Sequence, residues 1–158
     1  MPDTEGLQQI QEQKEKILLG DSGKVAARRS EGKGMARERI AKLLDEGSFV
    51  ETDALLNKNG DYAGVVTGSG TVNDRPVFVF AQDFTVHGGA MGVAQAKKIN
   101  KILELAAKTG APVVAMCDSA GVRADEGAKA MNAFASVYSR LVKLSGQCPI
   151  ISLVIGPV

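Results

Sequence analysis

The run Val113-Val-Ala-Met-Cys117 constrains this chain more than any other stretch. It is almost wholly apolar, has β-branched content and is opened by Pro112, which suits a strand buried in a parallel sheet better than an exposed one. From Asp118 the sequence turns polar, and Gly121 permits backbone angles or a close ligand approach that a side chain would hinder. A helix pattern follows from Ala128 to Leu144, and Asp125 and Glu126 place negative charge where its dipole favours it. In open α/β sheets, ligands gather where strand C-termini give way to helix N-termini, because free amides there hold negative charge. The turn is therefore a candidate oxyanion site. A strand-to-helix loop whose glycine only turns the corner is the commoner explanation of so short a motif.

The rest of the chain supplies a scaffold. Glu5 to Leu19 carries Leu7, Ile10, Ile17 and Leu18 among polar residues, an amphipathic helix ending at Gly20. Lys24 to Arg29 repeats the character. Met35 to Glu46 then presents Met35, Ile40, Leu43 and Leu44 on one face, and Gly47 stops it. The composition changes at Phe49, separating a helical arm, residues 1–48, from an α/β body, residues 49–158. Within the body, Leu55–Asp61 reads as turn-rich, and Gly64–Val72 and Pro76–Asp83 flank Asn73-Asp74-Arg75 as an antiparallel hairpin. Glycines 64, 68 and 70 mark a bulge or close packing of another backbone. A helix with Ala94, Ile99, Ile102, Leu103, Leu105 and Ala106 on one face, the strand 112–117, the helix 128–144 and a last strand, Ile150–Ile155, complete an alternating order that predicts parallel pairing.

Composition excludes several functions. A hydrophobic fraction of 44% with 23% charged residues describes a folded domain. A formal charge of +1 and aromatic residues at 4% argue against nucleic-acid binding. Cys117 and Cys148 read as small buried apolar residues, not as a disulfide or metal pair, which suits a reducing compartment. With no apolar run of about 18 residues and an acidic start, direct membrane insertion is not expected and a cytoplasmic location is. His87, the single histidine, reads as a hydrogen-bonding or packing residue, since no nucleophile motif accompanies it. The basic residues Lys24, Arg28, Arg29, Lys33, Arg37 and Arg39 read first as a solvated face paired with nearby glutamates. Holding phosphates by Arg forks is the alternative.

Four blocks carry a family resemblance: Gly34–Val50, Gly64–Val72, Phe80–Gly92 and Asp118-Ser-Ala-Gly-Val-Arg123. In this order they resemble the N-terminal half of the biotin-dependent acyl-CoA carboxyltransferases, the family of the propionyl-CoA carboxylase and methylmalonyl-CoA or glutaconyl-CoA decarboxylase carboxyltransferase subunits. The resemblance implies an α/β crotonase-like fold, a spiral of ββα units, here truncated and preceded by the helical arm. It also implies carboxyl transfer between biotin and an acyl-CoA through an oxyanion-stabilised thioester enolate. Biotin would arrive on a carrier protein or domain, with a biotin carboxylase or a membrane decarboxylase subunit as further partner, in a homo-oligomer. No metal is implied.

By the same resemblance, Gly121 and Val122 supply backbone oxyanion donors, each such donor being worth roughly 3 to 4 kcal/mol in comparable sites. Gly88 and Gly89 lie at the edge of that region, and Lys33 and Arg37 near the CoA phosphates. Ala120 and Val122 depart from the commonest form of the block. The short stretch from Leu55 to Gly64 leans toward a decarboxylase-like branch. Gly156-Pro157-Val158 stops before the Ala-Gly-Gly of a second oxyanion site, which implies a fragment or truncation of a longer chain, or a split or degenerate subunit, inactive alone and self-associating or poorly soluble unless a partner covers its last strand. A non-catalytic CoA-binding or assembly module is the alternative function, and a stand-alone crotonase-type hydratase or isomerase a more distant one.

Overall fold

The computed structural model describes residues 4–58 and 61–157. Residues 59 and 60, inside the predicted turn Leu55–Asp61, and residue 158 lie outside them. Three helices come first: α1 (Thr4–Leu19), α2 (Ser22–Ser30) and α3 (Ala36–Leu43). Short strands β1 (Val50–Glu51), β2 (Asn57–Lys58) and β3 (Asp61–Tyr62) precede the long hairpin β4 (Val65–Val72) and β5 (Arg75–Gln82). Then follow α4 (Val93–Thr109), β6 (Val113–Cys117), α5 (Ala128–Leu144) and β7 (Ile150–Val154). The main sheet runs β1-β4-β5-β6-β7, antiparallel as far as β5 and parallel from β5 to β7, as the alternating order predicts.

Strand periodicity explains why β5 and β6 are apolar almost throughout. Phe80, Val113 and Ala115 pack under α4 and α5 with Ile99, Leu103, Ala106 and Val137. The intervening Val79, Ala81, Val114 and Met116 pack on the opposite face with Ala36 and Ile40 from α3 and with Leu44 just after it. Both faces are thus covered, the condition under which a parallel strand loses its polar alternation. At the open side of the sheet, Ile151, Leu153 and Val154 of β7 remain exposed, as do Met131, Tyr138 and Val142 of α5. Among the described residues no helix is long and apolar enough to cross a membrane.

Two local outcomes differ from the sequence pattern. Helix α3 ends at Leu43, short of Glu46, and Leu44 is already extended. This frees the Asp45 carboxylate to accept from the Thr71 hydroxyl at 2.6 Å and from the backbone amides of Asn73 and Asp74 at 3.0 and 2.9 Å. These bonds, that from Thr71 foremost, hold its carboxyl below the ordinary range. The hairpin turn itself is only Asn73-Asp74, both left-handed at φ 50° and 63°, while Arg75 pairs with Val72. Such a two-residue turn matches the twist of its strands. The β4–β5 register is unbroken, so the glycines make no bulge there. Gly68 is instead a close approach, since a Cβ would strike the Val50 carbonyl of β1.

Candidate functional site

Two loops leave the C-terminal ends of adjacent parallel strands, residues 83–92 after β5 and residues 118–127 after β6. Backbone bonds zip them together. Ala120 N donates to Gly88 O at 2.8 Å, Met91 N to Gly121 O at 2.8 Å, and Arg123 N to Met91 O at 3.0 Å. The structure therefore brings Gly88 and Gly89 beside Gly121 and Val122, two pairs that stand more than thirty positions apart in sequence.

Gly121 sits at φ 108° with open space where a Cβ would stand, so its backbone angle and not its packing demands glycine. Its amide donates to Ser119 Oγ at 3.1 Å, and that hydroxyl donates back to Gly121 O at 3.2 Å. The Val122 amide meets no acceptor among the described residues. Of the two donors named from sequence, one is engaged by a side chain within its own turn and one is uncommitted.

Behind the turn lies a polar core. Asp118 is fully buried, and its Oδ2 takes Arg28 from α2 and Arg39 from α3, the latter at 3.0 Å. Its amide donates to Gln82 Oε1 at 3.0 Å, and Gln82 Nε2 donates to Gln95 Oε1 at 3.0 Å. Gln95 Nε2 in turn reaches Gly64 O at 3.1 Å. Nothing in the sequence marks Gln82 or Gln95, because a glutamine at a strand end or on a helix carries no periodic signal. The nearest clue to Asp118 is an apolar strand that ends in a carboxylate.

Glu126 does not serve α5, as its position in sequence suggests. Its Oε2 accepts from Val93 N at 2.8 Å, capping α4 across the two loops, whereas Asp125 pairs with Arg123 at 2.6 Å. Residues Ala124–Glu126 form a separate short turn, and Gly127 at φ 55° breaks the chain away from α5.

Beside the zipped loops, a groove of about 760 Å³ runs between α1 and α2 on one side and the loop after β5 on the other, lined by Asp21, Lys24, Arg28, Glu31, Asp83 and Phe84 among others. Lys33 and Arg37 are not in its lining. Lys33 pairs with Glu31 at 3.1 Å, and Arg37 forks onto Glu51 at 2.8 and 3.2 Å, 5.6 Å over the Tyr62 ring.

Lys98 is wholly buried on α4, its Nζ donating to Val65 O at 2.8 Å with the Tyr62 ring 5.4 Å away. Burial pushes this ammonium down to about 8 from 10.5. Between those two values the unfolded chain binds more protons than the folded one, so stability rises with pH across that window and the burden is complete below pH 8. Relative to Lys98→Met, the wild-type protein should gain about 3 kcal/mol of unfolding free energy between pH 7.5 and 10.5. Chemical denaturation at both values measures this, and a pH-independent difference between the two proteins would overturn it.

A mixed sheet sandwiched by helices, with glycine turns joined at the C-termini of its parallel strands, fits the crotonase-like α/β fold that the family resemblance implies. Solved structures agree: a transcarboxylase 12S crystal structure, described as a hexamer with methylmalonyl-coenzyme A and methylmalonic acid bound, superposes with a TM-score of 0.90 at 36% identity over 96% of this chain and 32% of that one. A geranyl-CoA carboxylase beta subunit of P. aeruginosa shares the fold at 23% identity with a TM-score of 0.85, over 94% of this chain and 29% of that one. The carboxyl transferase domain matches residues 27–158, and the chain belongs to that family. Among curated relatives, the alpha subunit of methylmalonyl-CoA decarboxylase from Propionigenium modestum is 43% identical over 96% of this chain and 31% of its own length. The human mitochondrial propionyl-CoA carboxylase beta chain is 44% identical over 89% of this chain and 28% of its own. The chain thus spans about a third of the length of these relatives.

Proposed function

We propose that this chain is the part of a biotin-dependent acyl-CoA carboxyltransferase that holds the acyl thioester and steadies its enolate oxygen. The observation that carries the reading is the uncommitted Val122 amide, set in a turn zipped to the Gly88-Gly89 turn at the strand C-termini. An uncharged, fixed backbone donor suits an oxygen whose charge develops only during reaction.

In the carboxylation direction the acyl α-carbon would lose a proton, its electron pair, shared with the thioester oxygen, would form the new C–C bond to the carboxyl carbon, and biotin N1, released with the electrons of its bond to that carbon, would take up the proton. Carrier-borne biotin supplies or takes the carboxyl group. This chain's share is to orient the thioester and stabilise its oxygen through Val122 N. Gly121 N joins when the ligand oxygen displaces Ser119 Oγ. The neighbouring groove sets Asp21, Glu31 and Asp83 against Lys24 and Arg28, so the CoA phosphates are assigned to Lys33 and Arg37 outside it, which would meet them by exchanging Glu31 and Glu51. The assembly is a homo-oligomer that also engages a biotin carrier and either a biotin carboxylase or a membrane decarboxylase subunit.

Replacing the Gly121–Val122 amide by an ester removes the donor and leaves every side chain in place. In the complete carboxyltransferase assembly, kcat should fall on the order of a hundredfold, with the KM for acyl-CoA within threefold of its original value. Unchanged kcat would overturn the donor role. Binding of acyl-CoA with no carboxyl transfer in the unmodified assembly would favour a non-catalytic module.

A further inference from the structure

The zipped turn is not held by its own loops alone. Asp118, the residue that begins it, has 0% exposure and draws cations from two helices that lie 90 and 79 positions away. Arg28 is itself buried and held on three sides: by Asp118, by Glu31 at 3.1 Å, and by the Phe84 ring 4.6 Å beneath its guanidinium. Arg39 spans Asp118 and the Gln82 carbonyl, the latter at 2.6 Å, and so ties the end of β5 to the end of β6. Both guanidinium groups use the same carboxylate oxygen. The other, Oδ1, is buried without a partner among the described residues, and Gly156 lies so close to it that no side chain fits there. The next residue, Pro157, accepts the Ser119 amide at 2.7 Å.

A buried carboxylate satisfied on one side only is an expensive way to gain stability, since apolar residues of similar volume often serve as well or better. It does fix direction. One nitrogen from each of two guanidinium groups on a single oxygen, together with Gln82 on the Asp118 amide, holds the path of the backbone into Ser119, Ala120 and Gly121. A displacement of about 1 Å at a reacting centre costs up to about a hundredfold in rate.

We infer that Arg28, Asp118 and Arg39 form a positioning clamp through which the helical arm sets the aim of the Val122 amide. The arm is then part of the catalytic machinery, although none of its three helices supplies a donor to the oxyanion. This inference rests on the donor role proposed above for Val122.

The test is a double-mutant cycle in the complete assembly, combining Asp118→Asn with the ester at the Gly121–Val122 linkage. Asp118→Asn keeps shape and loses the charge that both arginines need. Alone it should lower kcat by about 10- to 100-fold with the acyl-CoA KM within threefold, measured at a temperature where the variant is folded. In the ester background the same substitution should cost less than twofold, because the donor it aims is already gone. Arg28→Lys provides a second route if Asp118→Asn does not fold. It preserves charge but not the fork, and should show the same dependence on the amide. If the ester alone has no effect, the donor assignment fails. If the ester slows the reaction but the clamp variants leave kcat unchanged, or lower it by the same factor in both backgrounds, the clamp fails and the donor assignment stands.

Discussion

Gly89→Ala should destabilise the protein by on the order of 4 kcal/mol or more, placing it among the severest single substitutions. Gly89 lies at φ 67°, and a Cβ built there would run into the carbonyl oxygen of Asp118. That obstacle is backbone, held in place by the Arg28 and Arg39 pairs and by Gln82, so it does not swing aside as a long side chain would. The added methyl must separate the two loops and strain the bonds between Ala120 and Gly88 and between Met91 and Gly121. Gly88→Ala is the internal control. Its φ of 62° is equally left-handed, but its Cβ meets only side chains, the Ala120 methyl at 3.3 Å and the Phe84 ring at 4.0 Å. The strain common to both is about 1 kcal/mol, so the difference between the two variants isolates the loop contact. Thermal unfolding should place Gly89→Ala about 10 °C below wild type, and a shift equal to that of Gly88→Ala would refute the argument.

Gln82→Leu should be the next most damaging, at about 2 to 6 kcal/mol. Two buried groups lose their partners at once: the Asp118 amide, which donates to Gln82 Oε1, and the Gln95 carbonyl, which accepts from Gln82 Nε2. Leucine fills most of the volume, so the loss reports stranded polar groups more than a cavity. Equilibrium denaturation measures the total. Amide hydrogen exchange assigns it, because protection at Asp118 should drop further than protection along β6. Equal loss of protection at both would point to general loosening instead.

The strands and helices were legible because each is governed by neighbours a few residues away. Helix α5 occupies the stretch from Ala128 to Leu144 that its 3.6-residue spacing marks, and β6 the apolar run that opened the sequence reading. The hairpin was legible from Asn73-Asp74, two residues that tolerate left-handed backbone. The family was legible for a related reason, since its four blocks are continuous in sequence. The meeting of the Gly88-Gly89 and Gly121-Val122 turns was implied only by the family resemblance. Each pair is visible by itself, but a single sequence does not tell that Met91 pairs with Val122 and joins them.

Charge assignments were the least legible part. Glu126 stands two residues before α5 and caps α4 instead. The basic residues of the arm read as a solvated face. Arg29 and Lys33 do meet glutamates there, while Arg28 and Arg39 reach across the fold to a carboxylate with no exposure at all. The sequence alone determined which segments become strand, helix or turn, because those preferences are set by local sterics and by the period of apolar residues. Only the tertiary structure decided which charge meets which, because an ion pair depends on distance in space, and chain separation carries almost no information about it.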